Sequence, residues 1–327
     1  MERLKRTEKN TLTERVLQFG EGNFLRGFVD WMIDKLNKEN GGDYGVTIVQ
    51  PLAGGLVDKL NAQDGRYSLY LRGLLKGEKV EETRIVDCVT RGINPYTNTD
   101  EFFDCAKNPD LRFIVSNTTE AGIEYKPNQN HDDFNGLTFP GRLTLFMKKR
   151  FDEGLGGFIL LPCELIDKNG DNLKECILKY SVDWGYGGEF EKWIETENHF
   201  TNTLVDRIVT GYPRDNAKEM EQSYGYLDDM IDTAEIFHLW VIEGDKKLAE
   251  EIPFHKIGLN VLWTDDVTPY KKRKVRILNG AHTMTVLAAH LAGLETVKDA
   301  MDDELVFSFM KQGIFEEIIP TLDLPKN

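Results

Sequence analysis

Three side chains that could act together on a carbonyl group recur at helical spacing near the end of the sequence. Lys274, Asn279 and His282 stand in the segment Lys274-Val-Arg-Ile-Leu-Asn-Gly-Ala-His282. On an α-helix, Asn279 lies about 140° and His282 about 80° from Lys274, so all three share one face. A converging amine, amide and imidazole suit carbonyl reduction, as proton donor, oxyanion donor and substrate-orienting group. On spacing alone, a solvated basic helix start with a capping asparagine is the alternative.

A glycine turn near the start of the chain could bind an anion. Gly20-Glu21-Gly22 follows the apolar run 16–19 and precedes residues 24–36, whose apolar side chains have helical spacing. Backbone N–H groups in such a turn can approach a pyrophosphate, and the helix N-terminus adds a favourable dipole. Leu25 takes the place of the third glycine of G-x-G-x-x-G, so an ordinary tight turn is the alternative. The order strand, turn, helix, strand favours dinucleotide binding.

Polar residues follow two later apolar runs. Ser116-Asn117-Thr118-Thr119-Glu120 comes after the run 113–115, where Asn117 and Thr118 could hold ribose hydroxyls. A helix N-cap with a nearby acid is the alternative. Pro162-Cys163-Glu164-Leu165 follows the run 158–161. No partner histidine can be assigned to Cys163, so we expect no nucleophilic role for its thiol.

The elements that position these residues alternate between strands and helices. Hydrophobic periodicity predicts strands at 16–19, 46–49, 113–115, 158–161 and 237–242, and helices at 24–36, 101–106, 142–151, 171–180 and 190–196. Residues 68–75 and 79–89 flank Gly77 and predict an antiparallel hairpin added to the sheet. From residue 267 the pattern is helical, at 275–291, 302–312 and 314–319. We therefore expect an α/β Rossmann-like doubly wound sheet over residues 1–268 and an all-helical C-terminal domain over 269–327.

Composition narrows the function classes. The chain has 327 residues and a net charge of −15, which disfavours nucleic acid as a partner. Its six histidines form no H-E-x-x-H motif, and its four cysteines form no C-x-x-C pair. We therefore expect no metal site and no disulfide framework. No apolar run suggests a signal peptide or a membrane span, so a cytoplasmic location is expected.

Longer motifs carry a resemblance to a known family. The sequence contains Gln18-Phe-Gly-Glu-Gly-Asn-Phe-Leu-Arg26, Asp232-Thr-Ala-Glu235 and Ile277-Leu-Asn-Gly-Ala-His-Thr283. Together they resemble the polyol and sugar-acid long-chain dehydrogenases, the mannitol dehydrogenase family. The resemblance implies a cytoplasmic oxidoreductase that interconverts a ketone and a secondary alcohol on a sugar acid. It also implies that Lys274 is the general acid and base, that Asn279 binds the oxyanion and that His282 positions the substrate.

The resemblance further implies an NAD site along the first strand and its turn. We expect cofactor contacts from Val16, Leu17, Gln18, Phe19, Gly20, Glu21, Gly22, Asn23, Phe24, Leu25, Arg26 and Gly27, and also from Gln50, Asn117 and Thr118. The second strand ends Val49-Gln50-Pro51, without the acid that usually binds the ribose 2′-hydroxyl. Gln50 could bind that hydroxyl, and no arginine stands nearby in sequence, so NAD rests on the resemblance.

Some features concern substrate and domain organisation. The basic run 271–274 could attract a substrate carboxylate and surround Lys274 with positive charge. Leu165 stands where mannitol-type members carry a second oxyanion donor.

The family's helical domain extends well beyond residue 327, so we expect a shortened chain. Its last apolar side chains, Phe315, Ile318, Ile319, Leu322 and Leu324, should then face solvent or a second copy.

Two alternatives to the expected function stay open. Another substrate within the family, such as a mannitol-type polyol, is one. A non-catalytic nucleotide-binding sensor is an alternative of another class. The intact set of Lys274, Asn279 and His282 argues against a sensor, which would have no need of these three residues together.

Overall fold

The computed structural model describes residues 1–75, 77–119 and 121–323. The chain divides into two compact units, Met1–Asp265 and a second one that begins at Asp266. The twelve strands of the described residues all lie in the first unit. They are β1 (Glu14–Phe19), β2 (Gly45–Val49), β3 (Tyr67–Leu75), β4 (Glu78–Val86), β5 (Val89–Ile93), β6 (Phe113–Ser116), β7 (Ile159–Pro162), β8 (His199–Phe200), β9 (Asn202–Asp206), β10 (Asp232–Glu235), β11 (Leu239–Glu243) and β12 (Val261–Thr264).

Six of these strands form a parallel sheet in the order β5-β2-β1-β6-β7-β8. Taken in chain order, they read third, second, first, fourth, fifth and sixth, which is the order of a doubly wound dinucleotide-binding sheet. The strand order reverses between β1 and β6. In such sheets, ligands bind outside the carboxyl ends of the strands at this reversal. The predicted fold class is therefore confirmed, and the sheet identifies one edge at which to look for a site.

Apolar side chains cover both faces of the main sheet. One core contains Val16, Phe28 and Trp240, and the other contains Leu17, Phe19 and Phe146. Neighbouring residues of β1 thus point into different cores, because successive side chains in a strand alternate between faces. A central parallel strand is buried on both faces in this way.

Helices pack around the sheets of the first unit. Long helices follow β1, β6 and β7 in the chain. The helix after β6 begins with a Thr138 side chain that accepts from the Gly141 N–H and with Pro140 in its first turn. The α-helices of this unit are Asn23–Leu25, Trp31–Asn40, Val57–Ala62, Thr99–Cys105, Phe139–Asp152, Asn169–Asp183, Gly188–Glu197 and Ala217–Tyr224. A π-helical turn, Arg26–Asp30, joins the first two of them into one continuous helix.

The predicted hairpin is present, but its place in the fold differs from the expectation. Strands β3 and β4 pair antiparallel, and β3 also pairs with the parallel strand β10. The hairpin therefore belongs to a second, three-stranded sheet rather than to the main one. Val89, expected at the end of the hairpin, begins β5 and pairs with Val46 of the main sheet. The late strand predicted at 237–242 is present as β11, in a third sheet with β9 and β12.

The second unit is helical throughout its described part. It contains α-helices Thr268–Arg273, Gly280–Leu291, Val297–Asp302 and Glu304–Gln312, π-helical turns Lys274–Asn279 and Gly313–Ile318, and the short 3₁₀ helix Ile319–Thr321. Phe315 and Ile319 are exposed, as expected, whereas Ile318 and Leu322 are half-buried. Leu324 lies outside the described residues.

Candidate active site

The turn after β1 lies at the carboxyl edge of the main sheet, beside the reversal of strand order. Gly20 has φ +129°, a conformation that favours glycine. A Cβ on Gly20 would lie 3.2 Å from the Asn117 carbonyl oxygen, so the loop after β6 packs closely on this turn. A Cβ on Gly22 would meet no atom within 4 Å. The backbone at Gly22 is therefore open to a ligand.

The buried side chain of Arg26 holds this turn in place through hydrogen bonds. Its buried guanidinium donates to the Glu21 carbonyl at 3.1 Å, to Asn23 Oδ1 at 2.7 Å and to the Met230 carbonyl at 2.6 Å. Asp232 lies 4.0 Å from the same guanidinium. The donors of the Arg26 side chain are thus directed at backbone and side-chain oxygens of the turn and its surroundings, and the cofactor contact expected of Arg26 stays a prediction.

Most of the predicted cofactor segment is core. The side chains of Val16, Leu17, Phe19 and Leu25, the Gln18 amide and the whole of Gly27 are buried. The side chains of these residues are covered because a central parallel strand and the inner face of its helix are buried, and their cofactor contacts stay a prediction. Gly22 and Asn23 are exposed and Phe24 is half-buried. The ligand-facing part of the segment is thus its turn and the uncapped start of the helix.

Glu21 and Gln50 meet at the end of β2. The Gln50 side chain is buried and donates to the Leu52 carbonyl at 2.8 Å and to the Ala53 carbonyl at 3.1 Å. The side-chain oxygen Oε1 of Gln50 accepts from the Val57 N–H at 3.4 Å. Gln50 therefore shapes the loop after β2, and its ribose contact stays a prediction for a side chain that is turned into its own loop. Burial raises the pKa of Glu21, whose Oε1 accepts from the Leu56 N–H at 3.3 Å.

The loops after β6 and β7 are joined by Glu164, a buried acid to which sequence reasoning gave no role. Its carboxylate accepts from Ser116 Oγ, from the Thr118 N–H and from Thr118 Oγ1, each at 3.0 Å. Asn117 Nδ2 donates to the Cys163 carbonyl at 3.3 Å. Burial raises the pKa of Glu164. Asn117 and Thr118 lie at the predicted edge, but the Thr118 hydroxyl is occupied by Glu164; Glu120 lies outside the described residues.

The cysteines offer no nucleophile. All four are unpaired and buried. Burial raises the pKa of the Cys163 thiol well above its usual value, which disfavours the thiolate that a nucleophile needs. Within residues 1–75, 77–119 and 121–323, no group of three or more His, Cys, Asp and Glu side chains could hold a metal ion. In the same ranges, no helix has the length and apolar character needed to cross a bilayer.

In the second unit, Lys274, Asn279 and His282 lie on one continuous helix that is not a plain α-helix. The segment Lys274–Asn279 is a π-helical turn, in which the Gly280 N–H donates to the Val275 carbonyl, five residues earlier. The wider turn brings residues five apart closer to one line than the 140° of an α-helix. His282 follows Asn279 by three residues in the α-helix that starts at Gly280, so these two are neighbours.

The surroundings of this trio are only partly enclosed by the second unit itself. Lys274 is half-buried, and Asn279 and His282 are exposed. His282 also borders an apolar groove of about 540 Å³, lined among others by Ala281, Thr285, Met310 and Ile314. Asn279 and His282 thus present their side chains at the surface of this unit.

Comparison with known proteins identifies the family. The mannitol dehydrogenase Rossmann domain matches residues 14–256, and the mannitol dehydrogenase C-terminal domain matches residues 266–327. Altronate oxidoreductases of Cronobacter sakazakii and Shigella flexneri are 49% identical over 319 residues, which cover 96% of this chain and 66% of each relative. The chain thus spans just under two thirds of the length of these relatives.

Two solved structures share the fold. A substrate-free D-sorbitol dehydrogenase has a TM-score of 0.82 at 24% identity, covering 99% of this chain and 69% of that one. A Pseudomonas fluorescens mannitol 2-dehydrogenase, in a ternary complex with NAD and D-mannitol, has a TM-score of 0.80 at 21% identity, covering 99% and 68%. With both domain families matched in order along the sequence, the chain belongs to the mannitol dehydrogenase family.

Proposed function

We propose that this chain takes part in the NAD-dependent interconversion of D-tagaturonate and D-altronate. The substrate assignment is supported by the similarity to altronate oxidoreductases along nearly the whole chain. The cofactor class is supported by the glycine turn at the reversal of strand order in a parallel sheet.

The first unit fits a dinucleotide. The open backbone at Gly22 and the uncapped start of the helix at Asn23 present N–H groups, which suit a pyrophosphate. Arg26 and Glu164 hold the two loops that border this place, so the donors are positioned before a ligand arrives. Positioning donors in advance lowers the entropy that binding costs.

NAD supplies a hydride acceptor and donor at the substrate carbon. In the direction of reduction, we assign Lys274 to give a proton from Nζ to the substrate oxygen as that oxygen becomes an alkoxide. In the reverse direction, the neutral amine takes the hydroxyl proton back. Asn279 donates an amide N–H to the developing oxyanion, and His282 orients the same oxygen. The basic residues Lys271, Lys272 and Arg273 precede Lys274 on the helix and favour a substrate carboxylate.

A spectrophotometric assay of NADH oxidation tests the proposal directly. Purified protein is incubated with D-tagaturonate, D-fructuronate or D-fructose, and the initial rates are compared at equal substrate concentrations. We expect the largest kcat/KM with D-tagaturonate. Faster turnover of D-fructuronate or D-fructose would overturn the substrate assignment and leave the family intact. Binding of NADH without turnover of any of the three would favour the non-catalytic sensor.

A further inference from the structure

Dinucleotide-binding sheets usually select NAD with an acid at the end of the second strand, which binds the ribose 2′-hydroxyl and repels a 2′-phosphate. In this chain β2 ends at Val49, followed by Gln50. The Gln50 amide is committed to the backbone of its own loop. The usual selecting group is therefore missing from its usual position in the sequence.

A carboxylate nevertheless lies beside the loop that follows β2, and it comes from the turn after β1. Glu21 Oε1 accepts from the Leu56 N–H at 3.3 Å. A Cβ on Gly55 would fall 2.3 Å from the same oxygen and 2.4 Å from Gln50 Cδ. Glu21 therefore reaches across the edge of the sheet and ends against the loop that follows β2. A side chain at position 55 would force the Glu21 carboxylate and the Gln50 amide to shift.

Both the backbone and the side chain of Glu21 are held in place. The backbone carbonyl of Glu21 accepts from Arg26 Nε at 3.1 Å, and its carboxylate accepts from the Leu56 N–H. Glu21 is only 8% exposed. A carboxylate can accept about four hydrogen bonds, so the bond to Leu56 leaves capacity for a hydroxyl donor. Partial burial also strengthens any charge interaction at this point.

A cation at the start of this loop, Arg142, is turned away from such a ligand. Arg142 Nη1 donates to the Pro51 carbonyl at 3.0 Å, a contact that the sequence did not reveal. Its Nη2 donates to the Leu137 carbonyl at 2.8 Å, and its guanidinium lies 4.6 Å from the centre of the Tyr96 ring. Arg142 thus ties the loop to its neighbours, and its donors are directed at carbonyl oxygens of the protein.

We propose that Glu21 is the residue that selects NAD over NADP, by accepting a hydrogen bond from the 2′-hydroxyl of the adenosine ribose and repelling a 2′-phosphate. This inference rests on the proposed function, since it needs a dinucleotide at the glycine turn. It differs from the usual arrangement because the acid belongs to the turn after the first strand rather than to the end of the second.

Titrations of nicotinamide fluorescence with NADH and NADPH test the inference by direct binding, without substrate. Wild type should bind NADH more tightly. Glu21→Gln keeps the shape and removes the charge, so NADH should bind about 10- to 100-fold more weakly and the preference over NADPH should fall by a similar factor. Asp58→Asn is the matched control, because it removes an exposed carboxylate from the helix that follows the same loop. It should leave the preference unchanged.

A second variant separates position from charge. Gly55→Ala keeps the carboxylate but places a methyl group against it, so NADH binding should weaken while near-UV circular dichroism stays native. This variant decides the matter if Glu21→Gln does not fold. A wild type that prefers NADPH, or a Glu21→Gln protein whose preference matches that of Asp58→Asn, would overturn the inference alone. A folded wild type that binds neither dinucleotide would overturn the proposed function as well.

Discussion

Replacing Asp30 with asparagine measures how far a buried carboxyl beneath the glycine turn lowers stability at neutral and alkaline pH. Asp30 is fully buried, and its Oδ2 accepts from the Tyr67 hydroxyl at 3.2 Å and from Gln18 Nε2 at 3.4 Å. Among the described residues, its Oδ1 has no hydrogen-bond partner. Burial raises the pKa of Asp30 to about 7, against the opposing effects of Gln18, Tyr67 and Arg26.

The sign and size of the effect follow from this shift. Between the unfolded pKa of 3.8 and the folded pKa of about 7, the folded protein holds a proton that the unfolded chain has lost. The free energy of unfolding therefore falls as the pH rises through this window, by about 4 kcal/mol in all. About 3 kcal/mol of this falls between pH 5 and pH 8. The asparagine side chain of the variant carries no charge at any pH and keeps an acceptor for Tyr67, so the variant should lack this part of the slope.

Urea unfolding at pH 5 and pH 8, followed by tryptophan fluorescence, gives the comparison, since Trp31 and Trp240 lie in the same core as this region. The difference between variant and wild type should rise by about 3 kcal/mol from pH 5 to pH 8. Asp110→Asn, which removes an exposed carboxyl, serves as the control and should show no such rise. A change below about 1 kcal/mol for Asp30→Asn would mean that Asp30 is not neutral in the folded protein.

Three further substitutions test the site. Lys274→Ala should lower kcat by ~10²–10⁴-fold with little change in NADH affinity, and a loss under about fivefold would remove Lys274 from proton transfer. Gly22→Val should weaken NADH binding in calorimetry while the melting temperature stays near that of wild type, since the added Cβ meets no atom within 4 Å; unchanged affinity would make the turn purely structural. Glu164→Gln places an amide N–H among the donors of Ser116 and Thr118, so chemical unfolding should show a loss of about 1–3 kcal/mol, and an unaltered stability would contradict the role given to this carboxylate.

The sequence predicted the main sheet well because its strands carry local signals. The runs at 16–19 and 46–49 are short, apolar and bounded by turn residues, as buried parallel strands are. By contrast, β10 consists of Asp232-Thr-Ala-Glu235, with an acid at each end. It becomes a strand through pairing with β3, which lies about 160 residues earlier in the chain. The hairpin was assigned to the wrong sheet for the same reason, since its partner strand has no local hydrophobic pattern.

In the candidate site, too, local sequence signals predicted some features, whereas others depend on distant contacts. The sequence located the glycine turn and the loop at 116–118, because both follow recognisable strands. It did not show that Arg26 points beneath the turn or that Glu164 spans two loops, since both depend on contacts between distant parts of the chain. The sequence does contain one signal: an acid close to the end of an apolar run, as at Glu164, is an unusual neighbour for a buried strand and points to a position with a specific set of donors.

The two helices that carry the predicted chemistry share a feature that no hydrophobic period reveals. Each contains a π-helical turn at its candidate functional segment, Arg26–Asp30 after the glycine turn and Lys274–Asn279 in the candidate catalytic helix. A π turn adds one residue to a helical turn, and such turns are often found at functional sites. At Arg26–Asp30, both ends of the turn bear buried ionisable groups: the Arg26 guanidinium holds the turn, and burial raises the pKa of the Asp30 carboxyl. At Lys274–Asn279, the extra residue brings the amine and the amide towards one line. A uniform 3.6-residue period places Lys274, Asn279 and His282 on one face, whereas the π turn brings Lys274 and Asn279 closer to one line. Such a turn is a backbone irregularity whose free energy must come from tertiary packing rather than from local propensity.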